Sequence, residues 1–167
     1  MRRMVLSILV DNTSGVLSRV AGLFSRRGYN IDSLTVGVTQ DSRYSRMTVA
    51  VTGEELTLEQ IQKQLGKLED VIEIQELEEH ESVCRELVLV KVMANEQERQ
   101  AIISVADIFR AKIVDVALDS LMIELTGNQN KLDAFIKLLD GFVIKELVRT
   151  GITGLIRGSG DIADYID

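Results

Sequence analysis

The segment best suited to chemistry is residues 11–15, Asp-Asn-Thr-Ser-Gly, between a predicted buried strand and the start of a predicted helix. Unpaired N–H groups and a partial positive charge at a helix start can hold a small anion such as an amino-acid carboxylate. Asn12 adds an amide that both donates and accepts, and Gly15 lets a ligand approach the backbone. The same spacing fits an Asx turn with Thr13 or Ser14 as an ordinary N-cap. The residues alone leave both interpretations open.

The other residues that could bind a ligand or do chemistry have simpler structural interpretations. Residues 26–30, Arg-Arg-Gly-Tyr-Asn, fit a helix end with Gly28 as its left-handed cap better than an anion site. His80 has no second His nearby for a metal site, and Cys84 has no catalytic constellation, so it is interpreted as a small buried hydrophobe. The Gly-rich residues 151–161 lack the Lys-Ser/Thr of a phosphate loop and are predicted to form a flexible tail. No nucleophile and base form a pair, so an enzyme hypothesis would depend on an unmarked pair of carboxylates.

Composition and charge reduce the number of possible function classes further. An apolar fraction of 46% and a charged fraction of 27% are typical of a globular chain, and 4% aromatic residues favour a core of Val, Ile and Leu in sheets. The formal net charge of -7 argues against a nucleic-acid partner. A single Cys, no secretory leader and no run of about 18 apolar residues predict a cytoplasmic protein with no membrane span.

The elements that must position residues 11–15 follow the order βαββαβ. The predicted elements are a strand at 4–10, a helix of about twelve residues from Val16, strands at 33–38 and 47–51, a helix at 58–68 and a strand at 71–77. Eight acidic residues between Glu69 and Glu86 then predict a solvated connector.

The same order of elements repeats in the second half of the chain. Its predicted elements are a strand at 87–93, a helix at 96–110, strands at 112–118 and 121–126, a helix at 130–139 and a strand at 142–148. Phe109 corresponds to Phe24, which marks a weak internal repeat. We therefore predict an α+β protein of two tandem ferredoxin-like domains, each an antiparallel sheet with helices on one face. The predicted limits are 1–79 and 80–160, followed by an acidic tail at 161–167.

Residues 11–36, with the pattern DNxxGVLSRVAGLFSRRGYNIxSLTV, strongly resemble the N-terminal ACT domain of the small regulatory subunits of acetolactate synthase (acetohydroxyacid synthase). The likeness covers nearly the whole chain and continues through residues 45–48, 63–65, 85–92, 108–110, 113–116, 131–135 and 149–151. Asp11 and Gly37 stand where this pattern leads us to expect Glu and Ala.

The resemblance implies a regulatory subunit without a cofactor of its own. Its partner would be the large catalytic subunit, which uses thiamine diphosphate, Mg and FAD and condenses pyruvate with pyruvate or 2-oxobutyrate. The chain would activate that subunit and confer feedback inhibition by valine or another branched-chain amino acid. A free-standing ACT amino-acid sensor that regulates a different enzyme is the alternative.

The resemblance also implies where the effector binds. ACT domains of this family pair side by side as a homodimer through the N-terminal domains, with the effector at the interface. One chain would contribute its first strand-helix turn, and the other the end of its first helix and the start of its second strand. The residues carried over by the pattern are Asn12, Gly15, Val16 and Leu17, with Asn30 and Ile31.

Overall fold

The computed structural model describes residues 1–165, so Ile166 and Asp167 of the predicted acidic tail lie outside the described residues. The chain divides into two compact units. The second unit is Arg85–Gly151, and the first contains Met1–Cys84 together with the C-terminal residues from Ile152 onward. This division differs from the predicted limits, because residues 80–84 and 152–160 group with the first unit. We call residues 152–165 the return segment.

The first unit has the predicted βαββαβ order and an antiparallel sheet with the strand order β2-β3-β1-β4. Its elements are β1 (Arg2–Asp11), α1 (Val16–Arg26), β2 (Ile31–Val38), β3 (Tyr44–Gly53), α2 (Glu55–Gly66) and β4 (Val71–Glu76). Alternate residues of β1, from Met4 to Val10, are buried against α1 and α2, which contribute Phe24 and Leu65 among others. The apolar faces of the strands and helices, which the sequence periodicity predicted, therefore pack against one another in a single core.

The second unit repeats this arrangement with the strand order β6-β7-β5-β8. Its elements are β5 (Ser82–Met93), α3 (Glu96–Ile108), β6 (Lys112–Val116), β7 (Ser120–Gly127), α4 (Gln129–Leu138) and β8 (Ile144–Arg149). The first three residues of β5, Ser82–Cys84, belong to the first unit. Asn95 begins α3 with a reciprocal capping box to Glu98, and Asn128 caps α4. Phe109 and Phe135 contact edge to face within this second core. The predicted ferredoxin-like repeat is confirmed.

The predicted solvated connector is wrong over its C-terminal part. Strand β5 begins at Ser82, which is buried, and Glu86 is only 7% exposed. The Glu86 carboxylate accepts hydrogen bonds of 3.0 Å from both Nε and Nη2 of Arg149 on β8. Because a distant arginine neutralises this charge, an acidic stretch of sequence can become a buried strand.

The predicted flexible tail is also wrong. Residues Thr153–Ile156 form β9, which pairs with β5, and Ile162–Tyr165 form a short 3₁₀ helix that packs against β4. A Cβ at Gly154 would lie 2.6 Å from Cys84 Sγ and 2.8 Å from the Val83 carbonyl oxygen. Only glycine allows this close approach, so here it indicates tight packing rather than flexibility.

Candidate functional site

The turn between β1 and α1 is held by backbone hydrogen bonds to two other loops. The Asp11 N–H donates to the Asp70 carbonyl at 2.9 Å, and the Asn12 N–H donates to the Arg43 carbonyl at 2.8 Å. Helix α1 then begins after Gly15, which has φ +85° in the left-handed region. Gly15 is itself the N-cap residue, so the prediction that Thr13 or Ser14 caps the helix is wrong.

The start of α1 carries no side-chain cap and no acidic residue in its first turn. Helices α3 and α4, by contrast, are capped by the side chains of Asn95 and Asn128. The first N–H groups of α1 therefore have no side-chain acceptor among residues 1–165. This end keeps its partial positive charge and can accept an anion.

Asn12 is exposed, but its amide is fixed to the loop that joins β2 and β3 and to the start of β3. Its Nδ2 donates to the Ser42 carbonyl at 2.9 Å, and its Oδ1 accepts from Ser45 Oγ at 3.1 Å. Asn12 therefore does not cap the helix, which excludes the simple capping interpretation. An amide has two N–H donors and an acceptor with two lone pairs, so one donor and one lone pair remain for a ligand.

Arg19 lies beside the same turn, and the sequence interpretation missed it. Its Nε and Nη2 donate to the Asp70 carboxylate at 2.5 and 3.1 Å, and a Cβ at Gly15 would lie 2.8 Å from its Nη1. These hydrogen bonds from Arg19 lower the pKa of the Asp70 carboxyl below its usual range. The signal available in the sequence was an arginine one turn after the glycine, but its partner Asp70 is 51 residues away.

Asn30 and Ile31 lie after the other end of α1. Gly28, with φ +70°, ends the helix in the left-handed conformation, as predicted. Asn30 Nδ2 donates to Asp32 Oδ1 at 3.1 Å, and Asp32 Oδ2 accepts from Thr52 Oγ1 at 2.7 Å. Ile31 is half-buried and packs against the core of the first unit.

One protomer does not bring the two groups of predicted residues together. Asp11, at the strand-helix turn, pairs with Tyr44 on β3, whereas Ile31 pairs with Val51 on the same strand. Seven residues of extended strand span about 23 Å, which is too far for one amino acid to contact both groups. A site made of both groups needs a second copy of the chain.

Apolar side chains are exposed at the start of α1 and on the edge strand β2. Leu17 in the first turn of α1 is 46% exposed, and Val36 and Val38 on the edge strand β2 are 48% and 63% exposed. Val16 is different, because its side chain is only 4% exposed and belongs to the core. Val16 is one of the predicted effector-binding residues, and only its backbone N–H could contact a ligand.

Across residues 1–165 no group of three or more His, Cys, Asp or Glu side chains is placed to hold a metal ion. In the same part of the chain no helix has both the length and the apolar character needed to cross a membrane.

Each of the two units matches a known protein-family model. Residues 6–73 match the family model described as the AHAS small subunit-like ACT domain, and residues 85–158 match the model of the small subunit of acetolactate synthase.

Curated relatives and a solved structure agree with these models. The chain is 52% identical to the probable acetolactate synthase small subunit of Methanothermobacter thermautotrophicus, over 93% of each chain. It is 48% identical to the acetolactate synthase small subunit of Haemophilus influenzae, over 96% of this chain and 99% of that one. The crystal structure of the Thermotoga maritima acetolactate synthase small subunit superposes with a TM-score of 0.87 at 40% identity, covering 96% of this chain and all of that one. The chain therefore belongs to the family of acetolactate synthase small subunits, which are the regulatory and non-catalytic subunits of that enzyme.

Proposed function

We propose that this chain activates the catalytic large subunit of acetolactate synthase and makes it sensitive to feedback inhibition by valine or another branched-chain amino acid. Two groups of predicted contact residues carry the proposal, and we call them half-sites: Asn12 and Gly15–Leu17 at the start of α1, and Asn30 and Ile31 after its end. The first half-site is a helix start without a side-chain cap. Thiamine diphosphate, Mg and FAD would belong to the catalytic partner, and the complex would work in the cytoplasm.

A homodimer formed by the first units would complete the site. Val38 pairs with Ser45 on β3, at the same end of the sheet as Asp11 and Tyr44, whereas Ile31 marks the other end. If two β2 strands pair antiparallel across a two-fold axis, Ile31 of one copy lies beside Val38 of the other. That arrangement covers an exposed edge strand, forms one eight-stranded sheet and brings both half-sites together.

The chemistry of the combined site suits a branched-chain amino acid. The effector carboxylate would accept hydrogen bonds from the first N–H groups of α1, beside the Arg19 guanidinium. Asn12 and Asn30 offer amide groups to the polar end of the ligand. Leu17 and Ile31 would contact the branched side chain, since both expose apolar surface at their ends of the helix.

The test is reconstitution with the cognate large subunit. Acetolactate formation is measured for each subunit alone and for the mixture, with valine, leucine and isoleucine added separately. We expect no turnover from the small subunit, higher turnover in the mixture, and inhibition by at least one of the three amino acids. Synthase activity from this chain alone would contradict the proposal. No effect on the large subunit would favour a free-standing sensor.

A further inference from the structure

Two side chains of β2 hold the first residue of the return segment. The Ile152 N–H donates to Ser33 Oγ at 3.0 Å, and the Ile152 carbonyl accepts from Thr35 Oγ1 at 3.2 Å. Ser33 and Thr35 flank Leu34, which packs into the core, so both hydroxyls lie on the face of the sheet without helices. They satisfy the amide and carbonyl of a nearly buried residue, much as a neighbouring strand would. We call these two hydrogen bonds the clasp.

The clasp lies next to the half-site at the start of β2. Ile31 pairs with Val51 and Ser33 with Ala50, so the register shifts between them. Asp32, in the bulge, holds Asn30 to β3, because its carboxylate accepts hydrogen bonds from Asn30 and from Thr52. A bulge locally changes the bend and twist of a strand. Only the bulge at Asp32 separates Ile31 from Ser33, so a ligand that fixed Asn30 and Ile31 would restrain the adjoining residues of β2 that carry the clasp.

Beyond Ile152, the return segment is held by separate contacts within the first unit. Strand β9 pairs with β5, and the Arg157 N–H donates to the Glu81 carbonyl at 2.8 Å. Ile162 is buried, and the 3₁₀ helix that contains it packs against β4. A displacement of the Ile152 backbone would therefore be transmitted through the packed return segment to its contacts with β5 and β4.

We propose that effector binding at the start of β2 tightens the clasp, so that the return segment is a regulatory element controlled by occupancy of the effector site. This inference rests on the proposed function, since it needs an amino acid bound at Asn30 and Ile31. Coupling of two sites is reciprocal, so a clasp tightened by the effector must also strengthen effector binding by the same factor.

Amide hydrogen exchange tests this proposal. The exchange rates of single amides in the full-length chain are measured by nuclear magnetic resonance, with and without saturating valine, leucine or isoleucine. We expect the effector to slow exchange at the Ile152 N–H by about fivefold or more, the lower end for coupled sites. The Leu77 N–H, which donates to the Val5 carbonyl in the same unit, is the internal reference and should change less.

Matched variants then separate the clasp from general stability. Ser33→Ala with Thr35→Val removes both hydroxyls, and should abolish the difference at Ile152 and weaken effector binding by the same factor in calorimetry. Ser33→Thr with Thr35→Ser keeps both hydroxyls and should preserve both effects. Gly154→Ala displaces the return segment at another point, because its Cβ would meet Cys84 and Val83, and should also abolish the coupling.

The outcomes distinguish failure of the clasp from failure of the proposed function. Effector binding with unchanged exchange at Ile152 in the unmodified chain overturns the clasp and leaves the proposed function standing. Binding of none of the three amino acids overturns both. Melting curves establish which variants fold, and the measurement on the unmodified chain decides the question even where a variant does not.

Discussion

Replacing Gly15 with Asp is expected to weaken inhibition by valine at least tenfold while the chain still folds and activates the catalytic subunit. At φ +85° an L-residue costs about 1–2 kcal/mol of unfolding free energy, and Asp and Asn tolerate this region best. The new Cβ would lie 2.8 Å from Arg19 Nη1, the end of a flexible and exposed side chain that can move. For a chain of this size the melting temperature should fall by about 2–8 °C.

The effect on the effector comes from charge as well as space. The new carboxylate would stand where the valine carboxylate is expected, and like charges about 4 Å apart repel by about 1 kcal/mol in water and about 4 kcal/mol near a protein surface. Gly15→Asn is the matched control, because it has the same shape and backbone strain without the charge. The Asp variant should therefore bind valine at least about fivefold more weakly than the Asn variant, since about 1.4 kcal/mol is a factor of ten.

The assay measures activation, valine inhibition and melting temperature on the same preparations of both variants. If Gly15 only shapes the turn, stability and activation should fall together and the valine inhibition constant should not change. Equal inhibition constants for the two variants and the unmodified chain would refute the effector site at this turn. Asn12→Ala and Ser45→Ala both remove the hydrogen bond between these two side chains, but only Asn12→Ala also removes the amide proposed to contact the ligand. A loss of inhibition in Asn12→Ala alone would therefore report the ligand contact.

Three further predictions follow from individual contacts. Val36→Lys places a charge on the exposed edge of β2 and should convert a homodimer to a monomer in sedimentation, and a native protein that is already monomeric at micromolar concentration would contradict the pairing. Arg149→Met leaves the buried Glu86 carboxylate without its main partner and should lower the unfolding free energy in urea by about 3 kcal/mol or more, most of which Glu86→Leu should restore. Hydrogen bonds from Arg43 lower the pKa of the Asp41 carboxyl to about 2, so stability from this pair is complete above about pH 4 and is lost as the pH falls through about 2. Arg43→Ala should raise the titration midpoint of Asp41, measured by nuclear magnetic resonance, but not to its ordinary value, because the backbone N–H of residue 43 still donates to the carboxylate.

Local periodicity in the sequence was enough to predict the six elements of each βαββαβ repeat. Alternating apolar residues in β1 and the 3.6-residue spacing in α1 depend only on which face of an element is apolar. Gly28 ends α1 as predicted, because few other residues adopt a positive φ without strain. The repeat of six elements, together with the pattern in residues 11–36, also predicted the family.

Contacts between residues far apart in sequence were decided only by the tertiary structure. Glu86 is neutralised by Arg149, 63 residues away, and Arg19 pairs with Asp70, so neither environment is encoded by neighbouring residues. The same holds for the Gly-rich residues 151–161, which local composition marks as flexible but which, from Ile152 onward, pack in the first unit. The effector site stays a prediction, because its halves lie about 23 Å apart along β3 and would converge only in the proposed homodimer. Sequence patterns specify the apolar face of each element, whereas the segment or subunit that covers a face is chosen by packing of the whole molecule.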